Sequence, residues 1–262
     1  MTETIWLNGA LLPAARAGIS TADRGFTLGD GLFETLRLHG GAALDVPAHF
    51  ARLAAGAELL RLALPFDATE MATMLERTAA ANGLQEGGLR LTLTRGPGPR
   101  GLLPPELPTP TMLITAFPVA EPRPVSAIIA RGITRDAASP LCRIKSLNYL
   151  PNILARLEAQ ERKADEAIML NHAGMVAGAS IGNVLVRVGG LWLTPPLADG
   201  ALPGIRRARL LAAGLVREAP IDQDTLQKAA ALCISNVLAL RPVIALEGAA
   251  LPAVGLDERS CL

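Results

Sequence analysis

The sequence predicts an α+β fold made of two domains. Strand patterns and helix patterns alternate along all 262 residues, with no internal repeat and no low-complexity tract. A proline-rich stretch over residues 117–125 interrupts these patterns near the middle of the chain. We therefore expect an N-terminal α/β domain over residues 1–117, a linker over residues 118–124 and a C-terminal α/β domain over residues 125–262.

The N-terminal domain is predicted to contain two hairpins, two helices and two further strands. Asparagine-glycine and glycine-glycine pairs between alternating apolar segments indicate the hairpin turns. Apolar residues at helical spacing indicate the helices. The predicted segments are a hairpin over 4–12, a hairpin over 31–46, a helix after Pro47, a helix over 67–81, and strands over 88–96 and 110–118.

The C-terminal domain is predicted to mix strands and helices. Pro151 stands in the first turn of its first helix, a position that tolerates proline. The predicted strands cover 125–131, 165–171, 183–188, 190–194, 231–235 and 242–246, and the predicted helices cover 150–163, 204–216 and 222–229.

Composition excludes several classes of function. The net charge is +1 and no basic run is present, so we expect neither nucleic acid nor an anionic membrane as partner. Cys142, Cys233 and Cys261 are too scattered for a disulfide framework or a zinc site, and we expect no metal. No signal-peptide pattern and no membrane-length apolar run is visible, which predicts a soluble cytoplasmic protein.

Lys145 is unusual for this chain. Of the 25 basic residues only three are lysine, and Lys163 and Lys228 lie in polar stretches. Lys145 instead stands among apolar and small polar neighbours in L-C-R-I-K-S-L-N. Such a lysine either extends its amine to water along an apolar surface, or is buried and made nucleophilic by its surroundings.

Three further segments have the composition of an anion site. L-P-G-I-R-R places Gly204 and Ile205 at a predicted helix start, where free N–H groups bind phosphate. A predicted strand ends at Ser235-Asn236, which are short polar donors. Arg52 in H-F-A-R-L is an ordinary helix-surface arginine or a third contributor. The glycine-rich loop G-P-G-P-R-G lacks the Lys-Ser/Thr of a phosphate-binding P-loop.

The chain resembles the fold-type IV pyridoxal-phosphate enzymes, also called class IV aminotransferases. This family includes D-amino acid and branched-chain aminotransferases and 4-amino-4-deoxychorismate lyase, and the resemblance covers nearly the whole chain. The motifs that carry it are D-R-G-F-T-L-G-D-G-L-F-E-T (23–35), H-F-A-R-L, I-K-S-L-N followed by A-D-E-A-I-M-L-N, G-N-V-L, L-P-G-I-R-R and S-N-V-L-A-L-R-P-V. It implies the two-domain fold of the D-amino acid aminotransferase-like enzymes, with pyridoxal 5'-phosphate between the domains.

The resemblance also assigns roles to individual residues. Lys145 matches the lysine that forms a Schiff base with the cofactor aldehyde, a role that a permanently protonated arginine cannot fill. Arg52 matches the phosphate-binding arginine, and the residues around the predicted phosphate site are Gly204, Ile205, Arg206, Ser235 and Asn236. Arg206 and Asn236 stand where relatives often have threonine. Tyr149 is a candidate neighbour of the cofactor ring or a packed tyrosine.

One position departs from the family pattern. Relatives carry a glutamate five residues before the asparagine that is Asn183 here, and it pairs with the pyridine nitrogen of the cofactor. This chain has Gly178 at that position. Three interpretations remain open: another acid or a water held by Ser180 substitutes, the reaction runs on a less activated ring, or the chain binds cofactor with weak turnover.

Two reactions are compatible with the pattern. The K-S-L-N motif and the loop over 95–101 favour aminodeoxychorismate lyase, which releases pyruvate and leaves 4-aminobenzoate for folate synthesis. The alternative is a transaminase acting on D-amino or branched-chain amino acids. Either way the partner is a small amino substrate, and the candidate substrate contacts are Phe33, Thr35, Arg95 and Arg100.

The resemblance further implies a homodimer. The acidic residues Asp23, Asp30 and Glu34 of the opening motif are interpreted as fixing turns. The histidines, His39, His49 and His172, have no partner that the sequence identifies and are interpreted as structural.

Overall fold

The computed structural model describes residues 3–256, so that Cys261 lies outside the described residues. By their contacts the residues divide into two compact units. Among the described residues, the first contains residues 3–120 together with Ile144–Asn148, and the second contains Glu121–Arg143 together with residues 149–256. The division falls within the proline-rich stretch. It differs from the sequence expectation in one segment, because the residues around Lys145 pack with the first unit.

The first unit is built on a six-stranded antiparallel sheet of order β2-β1-β6-β5-β3-β4. Both predicted hairpins form, with turns at Asn8-Gly9 and Gly40-Gly41. The strands are β1 (Thr4–Leu7), β2 (Ala10–Pro13), β3 (Gly31–His39), β4 (Ala42–Ala43), β5 (Gly87–Thr94) and β6 (Thr111–Phe117).

Three helices accompany this sheet, α1 (Arg24–Leu28), α2 (Val46–Leu60) and α3 (Ala68–Ala81). α3 begins with a capping box, in which Asp67 accepts from the N–H of Glu70 and Glu70 accepts from the N–H of Asp67. Leucines of β3 and β5 pack with apolar residues of α2 and α3 in one core. α1 was not predicted, because a five-residue helix is too short to show helical periodicity.

The second unit contains a nine-stranded sheet of order β12-β11-β10-β13-β14-β7-β8-β9, with β15 paired to β14. The pairs β7–β14, β7–β8 and β11–β12 are parallel. The strands are β7 (Val125–Ile129), β8 (Glu166–Leu170), β9 (Val176–Ala179), β10 (Asn183–Val188), β11 (Leu191–Thr194), β12 (Arg217–Glu218), β13 (Ala231–Ser235), β14 (Leu240–Leu246) and β15 (Ala249–Ala250).

The helices of this unit are α4 (Leu150–Glu161), α5 (Ile205–Ala212) and α6 (Gln223–Gln227). α4 and α5 are shorter than the sequence predicts. Lys163 has a φ of 56° and Gly214 a φ of 70°, both in the left-handed region that stops a helix. β9 was missed, because V-A-G-A has too little contrast between polar and apolar residues to show a strand period.

Two expected absences can be compared with residues 3–256. Within that range no helix is both long enough and apolar enough to cross a membrane. The same residues contain no group of three or more histidine, cysteine, aspartate or glutamate side chains placed to hold a metal ion.

Candidate active site

Lys145 lies on an extended segment that pairs with β3. The N–H of Phe33 donates to the carbonyl of Lys145 at 2.9 Å, and the N–H of Leu147 donates to the carbonyl of Gly31 at 3.0 Å. An antiparallel bridge joins Leu32 and Ser146. The Nζ atom of Lys145 stands 4.2 Å from the centroid of the Phe33 ring. The sheet therefore fixes the backbone of the lysine, and the aromatic ring is the neighbour of its amine.

Arg90 contacts the same aromatic ring and was not predicted. Its Cζ atom lies 3.8 Å from the centroid of Phe33, and the residue is paired with Thr35 across β3 and β5. Its Nε donates to the hydroxyl of Thr92 at 3.3 Å. Phe33 and Thr35 thus lie with Arg90 and Lys145 in one group. The signal was present in G-L-R-L-T-L-T, where strand alternation places Arg90 and Thr92 on one face.

Arg52 is held by a buried carboxylate. Glu34 accepts from Arg52 Nε at 2.8 Å and from Arg52 Nη2 at 2.6 Å, and its Oε2 also lies 2.6 Å from Nδ1 of His49. Glu34 and His49 are each 1% exposed or less. Glu34 therefore does not fix a turn, and His49 does have a partner. His49 and Arg52 lie one turn apart on α2, and Glu34 lies on β3. The three side chains therefore meet only in the folded chain.

The charges around Glu34 decide its protonation. Burial favours the neutral acid, but the hydrogen bonds and charge of Arg52, followed by those of His49, outweigh it. The pKa of Glu34 is consequently held below its ordinary value. The group is an anion at neutral pH, and it keeps the Arg52 guanidinium in a fixed, two-pronged geometry.

The two loop arginines have different surroundings. Arg95 is 5% exposed and donates to both carboxylate oxygens of Asp30 and to the carbonyls of Leu60 and Arg61. Arg24 donates to Asp30 as well, and together the arginines outweigh burial and hold the pKa of Asp30 below its usual value. Arg100 is exposed. Arg95 is thus a buried structural residue, whereas Arg100 lies at the surface.

Asp23 and Asp30 do fix local structure, as the sequence predicts. Asp23 caps α1 by accepting from the N–H groups of Gly25 and Phe26, and it accepts from the hydroxyl of Thr94 at 2.9 Å. Asp30 anchors the two arginines just described. The opening motif therefore contains one acid, Glu34, that orders a candidate cofactor ligand.

The start of α5 is a candidate anion cradle in the second unit. Its N-cap, Gly204, makes no side-chain cap, and the first helical hydrogen bond runs from Ala208 N to Gly204 O at 2.9 Å. A Cβ atom at Gly204 would lie 2.1 Å from Oδ1 of Asn183, so a larger residue would have to displace the Asn183 side chain. The first N–H groups of a helix precede its first hydrogen bond and have no acceptor within the helix.

Ser235 and Asn236 follow β13. The Oγ of Ser235 is buried and lacks a hydrogen-bond partner within the described chain. Asn236 uses its Oδ1 to accept from Leu238 N and Ala239 N, and its Nδ2 donates to the carbonyl of Ile181 at 3.2 Å. Asn236 therefore stabilises the turn after β13. Ser235 has a buried hydroxyl that a bound ligand could supply with a hydrogen-bond partner.

Arg206 and Tyr149 have smaller roles in this geometry. The guanidinium of Arg206 donates to the carbonyl of Val237 at 3.1 Å, which ties α5 to the turn after β13. Tyr149 is the N-cap residue of α4 and is half-buried, without a side-chain cap.

Gly178 lies in β9 opposite Met169 of β8. A Cβ atom there would lie 3.3 Å from the carbonyl oxygen of Gly182, a tight contact that a small shift of the neighbouring backbone would relieve. Ser180, two residues on, is 1% exposed and its hydroxyl contacts the carboxylate of Glu166. Glu166 is fully buried, and the sequence reasoning did not single it out.

Comparison with known proteins places this geometry in context. The family model described as "Amino-transferase class IV" matches residues 31–246. A D-alanine aminotransferase of Bacillus licheniformis is 31% identical over 251 residues, covering 93% of this chain and 88% of that protein.

Solved structures are similar over nearly the whole chain. A Legionella pneumophila protein named "Putative 4-amino-4-deoxychorismate lyase" has a TM-score of 0.86 and 28% identity, covering 92% of this chain and 91% of its own. A branched-chain aminotransferase of Thermoproteus uzoniensis, with norvaline, has a TM-score of 0.88 and 26% identity, covering 97% of this chain and 90% of its own.

Proposed function

The chain belongs to the class IV aminotransferase family of pyridoxal-phosphate-dependent enzymes, and from that premise we propose that it transfers the amino group of an amino acid, with Lys145 as the catalytic residue. The observation that carries the proposal is the pairing of the Lys145 segment with β3, which holds the amine at Phe33 beside Arg90. A lysine that only covered the surface would not need a backbone fixed in this way.

The residues present fit pyridoxal phosphate. The uncapped start of α5 and the unpartnered hydroxyl of Ser235 are the features that a phosphate satisfies. We propose that Gly204, Ile205 and Arg206 bind the phosphate through backbone N–H groups, with Ser235 adding its hydroxyl. Arg52, oriented by Glu34, adds a positive charge.

The bound cofactor supplies an electron sink for the carbon that carries the amino group. Lys145 Nζ would hold the cofactor, and the same amine would take the proton from that carbon and deliver it to the cofactor carbon that receives the amino group. Phe33 holds the amine in place. Arg90, with Thr35 beside it, is suited to a substrate carboxylate, and Arg100 is an exposed second cation for the same purpose.

The sequence motifs alone favour aminodeoxychorismate lyase. The similarity to aminotransferases leads us to propose amino transfer instead. The curated D-alanine aminotransferase matches 93% of the chain at 31% identity. D-amino acids are therefore the first substrates to test. Amino-acid substrates also suit a site whose cations bind one small carboxylate. In keeping with the family resemblance we further propose that the protein is a homodimer.

Aminodeoxychorismate lyase remains a second candidate because of the Legionella structure. The same lysine would remove the proton at the amino-bearing carbon, after which pyruvate leaves and 4-aminobenzoate remains. A third possibility, cofactor binding with little turnover, is motivated by Gly178.

The test is to load the wild type, Lys145→Ala and the control Lys228→Ala with pyridoxal phosphate and reduce each with borohydride. We expect one pyridoxyl phosphate on the peptide containing Lys145 in the wild type and in Lys228→Ala, and none there in Lys145→Ala. Turnover of Lys145→Ala should fall by about 10²- to 10⁴-fold. Label elsewhere, or none in the wild type, would contradict the proposed role.

Substrate assays then separate the three activities. Transfer from D-alanine to 2-oxoglutarate, followed as D-glutamate formation, supports the transaminase. Fluorescent 4-aminobenzoate formed from aminodeoxychorismate supports the lyase. A labelled Lys145 without either product supports cofactor binding with little turnover.

A further inference from the structure

A buried carboxylate lies beside the position where this chain lacks the family's ring-nitrogen acid. We propose that Ser180, oriented by Glu166, is the hydrogen-bond partner of the pyridine nitrogen in this protein and holds that nitrogen in its protonated form. The inference rests on the proposed use of pyridoxal phosphate. Ser180 is the contact residue, and Glu166 is a positioning residue that acts through it.

Glu166 is surrounded by donors on all sides. Its Oε1 accepts from its neighbour's N–H, that of Ala167, at 3.0 Å and from the hydroxyl of Ser180. Its Oε2 accepts from Arg156 Nη1 at 2.8 Å and from Arg241 Nη2 at 3.0 Å. Two guanidinium groups on Oε2 and a backbone N–H on Oε1 favour the carboxylate anion, which accepts every one of these hydrogen bonds.

The anion fixes the direction of the Ser180 hydrogen bond. Because Glu166 can only accept, the single hydroxyl hydrogen of Ser180 points at it. What Ser180 offers to any other neighbour is the lone pairs of its oxygen, so that neighbour must be a donor. A pyridine nitrogen is a donor only when it carries a proton.

Ser180 also has the right location in the second unit. It directly follows β9, two residues after Gly178, and its N–H donates to the carbonyl of Ala167 in β8 at 2.9 Å. The next residues run directly to the anion cradle: Ile181 O accepts from Asn236, and Asn183 Oδ1 lies against Gly204. A cofactor with its phosphate at that cradle can extend its ring toward Ser180.

The arrangement explains how Gly178 is tolerated. Relatives place a carboxylate on the strand at the position of Gly178. Here the carboxylate is that of Glu166 in β8, and the hydroxyl of Ser180 lies between it and the proposed position of the ring. Arg156 and Arg241 partly neutralise the negative charge of Glu166. We therefore expect Ser180 and Glu166 to stabilise the protonated ring nitrogen less than a carboxylate in direct contact would.

The test uses the full-length protein loaded with pyridoxal phosphate carrying ¹⁵N in the ring, observed by NMR. We expect the wild-type ring nitrogen to resonate at the protonated position. Ser180→Ala should move the signal to the unprotonated position. Glu166→Gln should do the same, because the amide offers Ser180 a donor and frees its hydrogen to point at the ring.

Two further variants sharpen the result. Arg156→Gln leaves Glu166 paired with Arg241, and its ring nitrogen should stay protonated. Adding Gly178→Glu to Ser180→Ala should restore the protonated signal, since a Cβ atom at 178 meets only the carbonyl oxygen of Gly182, at 3.3 Å, and a small backbone shift admits it. If Glu166→Gln fails to fold, Ser180→Ala, which removes one oxygen atom, decides.

An unprotonated ring nitrogen in the wild type would overturn the proposal, and so would a protonated one in Ser180→Ala. Both outcomes presuppose that the cofactor is attached at Lys145. Failure of the borohydride labelling at Lys145 would instead contradict the proposed function. The two hypotheses therefore fail in different experiments.

Discussion

At the scale of single residues, Glu34 has the most demanding environment in the first unit. Its carboxylate is fully buried and has two partners, the guanidinium of Arg52 and the imidazole of His49. We predict that Glu34→Gln lowers the free energy of unfolding by about 3 kcal/mol, because the amide leaves a buried guanidinium without its anion. Urea denaturation measures this change.

Glu86→Gln is the matched control for that substitution. Glu86 also accepts from a histidine, at 2.8 Å from His39, but both side chains are more than half exposed. Its replacement should leave the urea midpoint unchanged, because water screens the pair. Equal effects of the two substitutions would show that burial of Glu34 does not determine its contribution.

The pH dependence of stability follows from the same residue. The pKa of Glu34 is lower in the folded protein than its ordinary value of 4.5, so the folded state favours the anion. Its contribution is complete above pH 4.5 and is lost as the pH falls through the lower, folded-state pKa. Urea midpoints of the wild type and Glu34→Gln should therefore converge as the pH falls below 4.5, and a difference that stayed constant or grew with acidity would contradict this assignment.

At the scale of secondary-structure elements, the start of α5 depends on a missing side chain. A methyl group at Gly204 would collide with Asn183 Oδ1 at 2.1 Å, so Gly204→Ala must displace the Asn183 side chain, whose Nδ2 donates to the carbonyl of Leu202 at 2.9 Å. We predict that it weakens binding of pyridoxal phosphate by about tenfold, equivalent to about 1.4 kcal/mol. Equilibrium dialysis in the Lys145→Ala background isolates this non-covalent affinity.

Gly18→Ala is the control for the Gly204→Ala substitution, because a Cβ atom at Gly18 meets nothing within 4 Å. It should leave the dialysis result unchanged. A Gly204→Ala protein that bound the cofactor normally would remove the start of α5 from the phosphate site.

Local signals in the sequence account for the elements that were predicted. Asp67 and Glu70 predict the start of α3, and Asn8-Gly9 predicts a hairpin turn. Each of these signals acts on backbone groups within a few residues, so the sequence alone contains it. The missed parts depend on contacts between distant residues. Glu34 of β3 meets His49 of α2, and Glu166 of β8 meets Ser180, which directly follows β9.

The site residues show the same distinction. The resemblance supplied Lys145 and Arg52, but no periodicity reveals that Phe33 and Arg90 surround the lysine amine. Arg95 and Arg100 looked equivalent in the sequence. Only the fold shows that Arg95 is taken up by Asp30 and two carbonyl groups at the end of α2.

At the scale of the whole molecule, cofactor binding should stabilise the fold. A ligand that binds only the native state at 100-fold excess over its Kd adds about 2.7 kcal/mol to the free energy of unfolding. We predict a gain of this size for Lys145→Ala with pyridoxal phosphate, because the phosphate cradle is independent of the lysine. Urea denaturation with and without cofactor measures it, and pyridoxal without phosphate is the control that should give a smaller gain.

The membership of Ile144–Asn148 in the first unit has a consequence for synthesis of the chain. A ribosome makes β3 early, but the segment that pairs with it emerges only after β7 has been made. The first unit therefore cannot complete its contacts as an isolated nascent domain. The amine of Lys145 reaches its place beside Phe33 only after translation has passed residue 145, so a product truncated between β6 and Lys145 would contain all six strands of the first sheet but lack this contact.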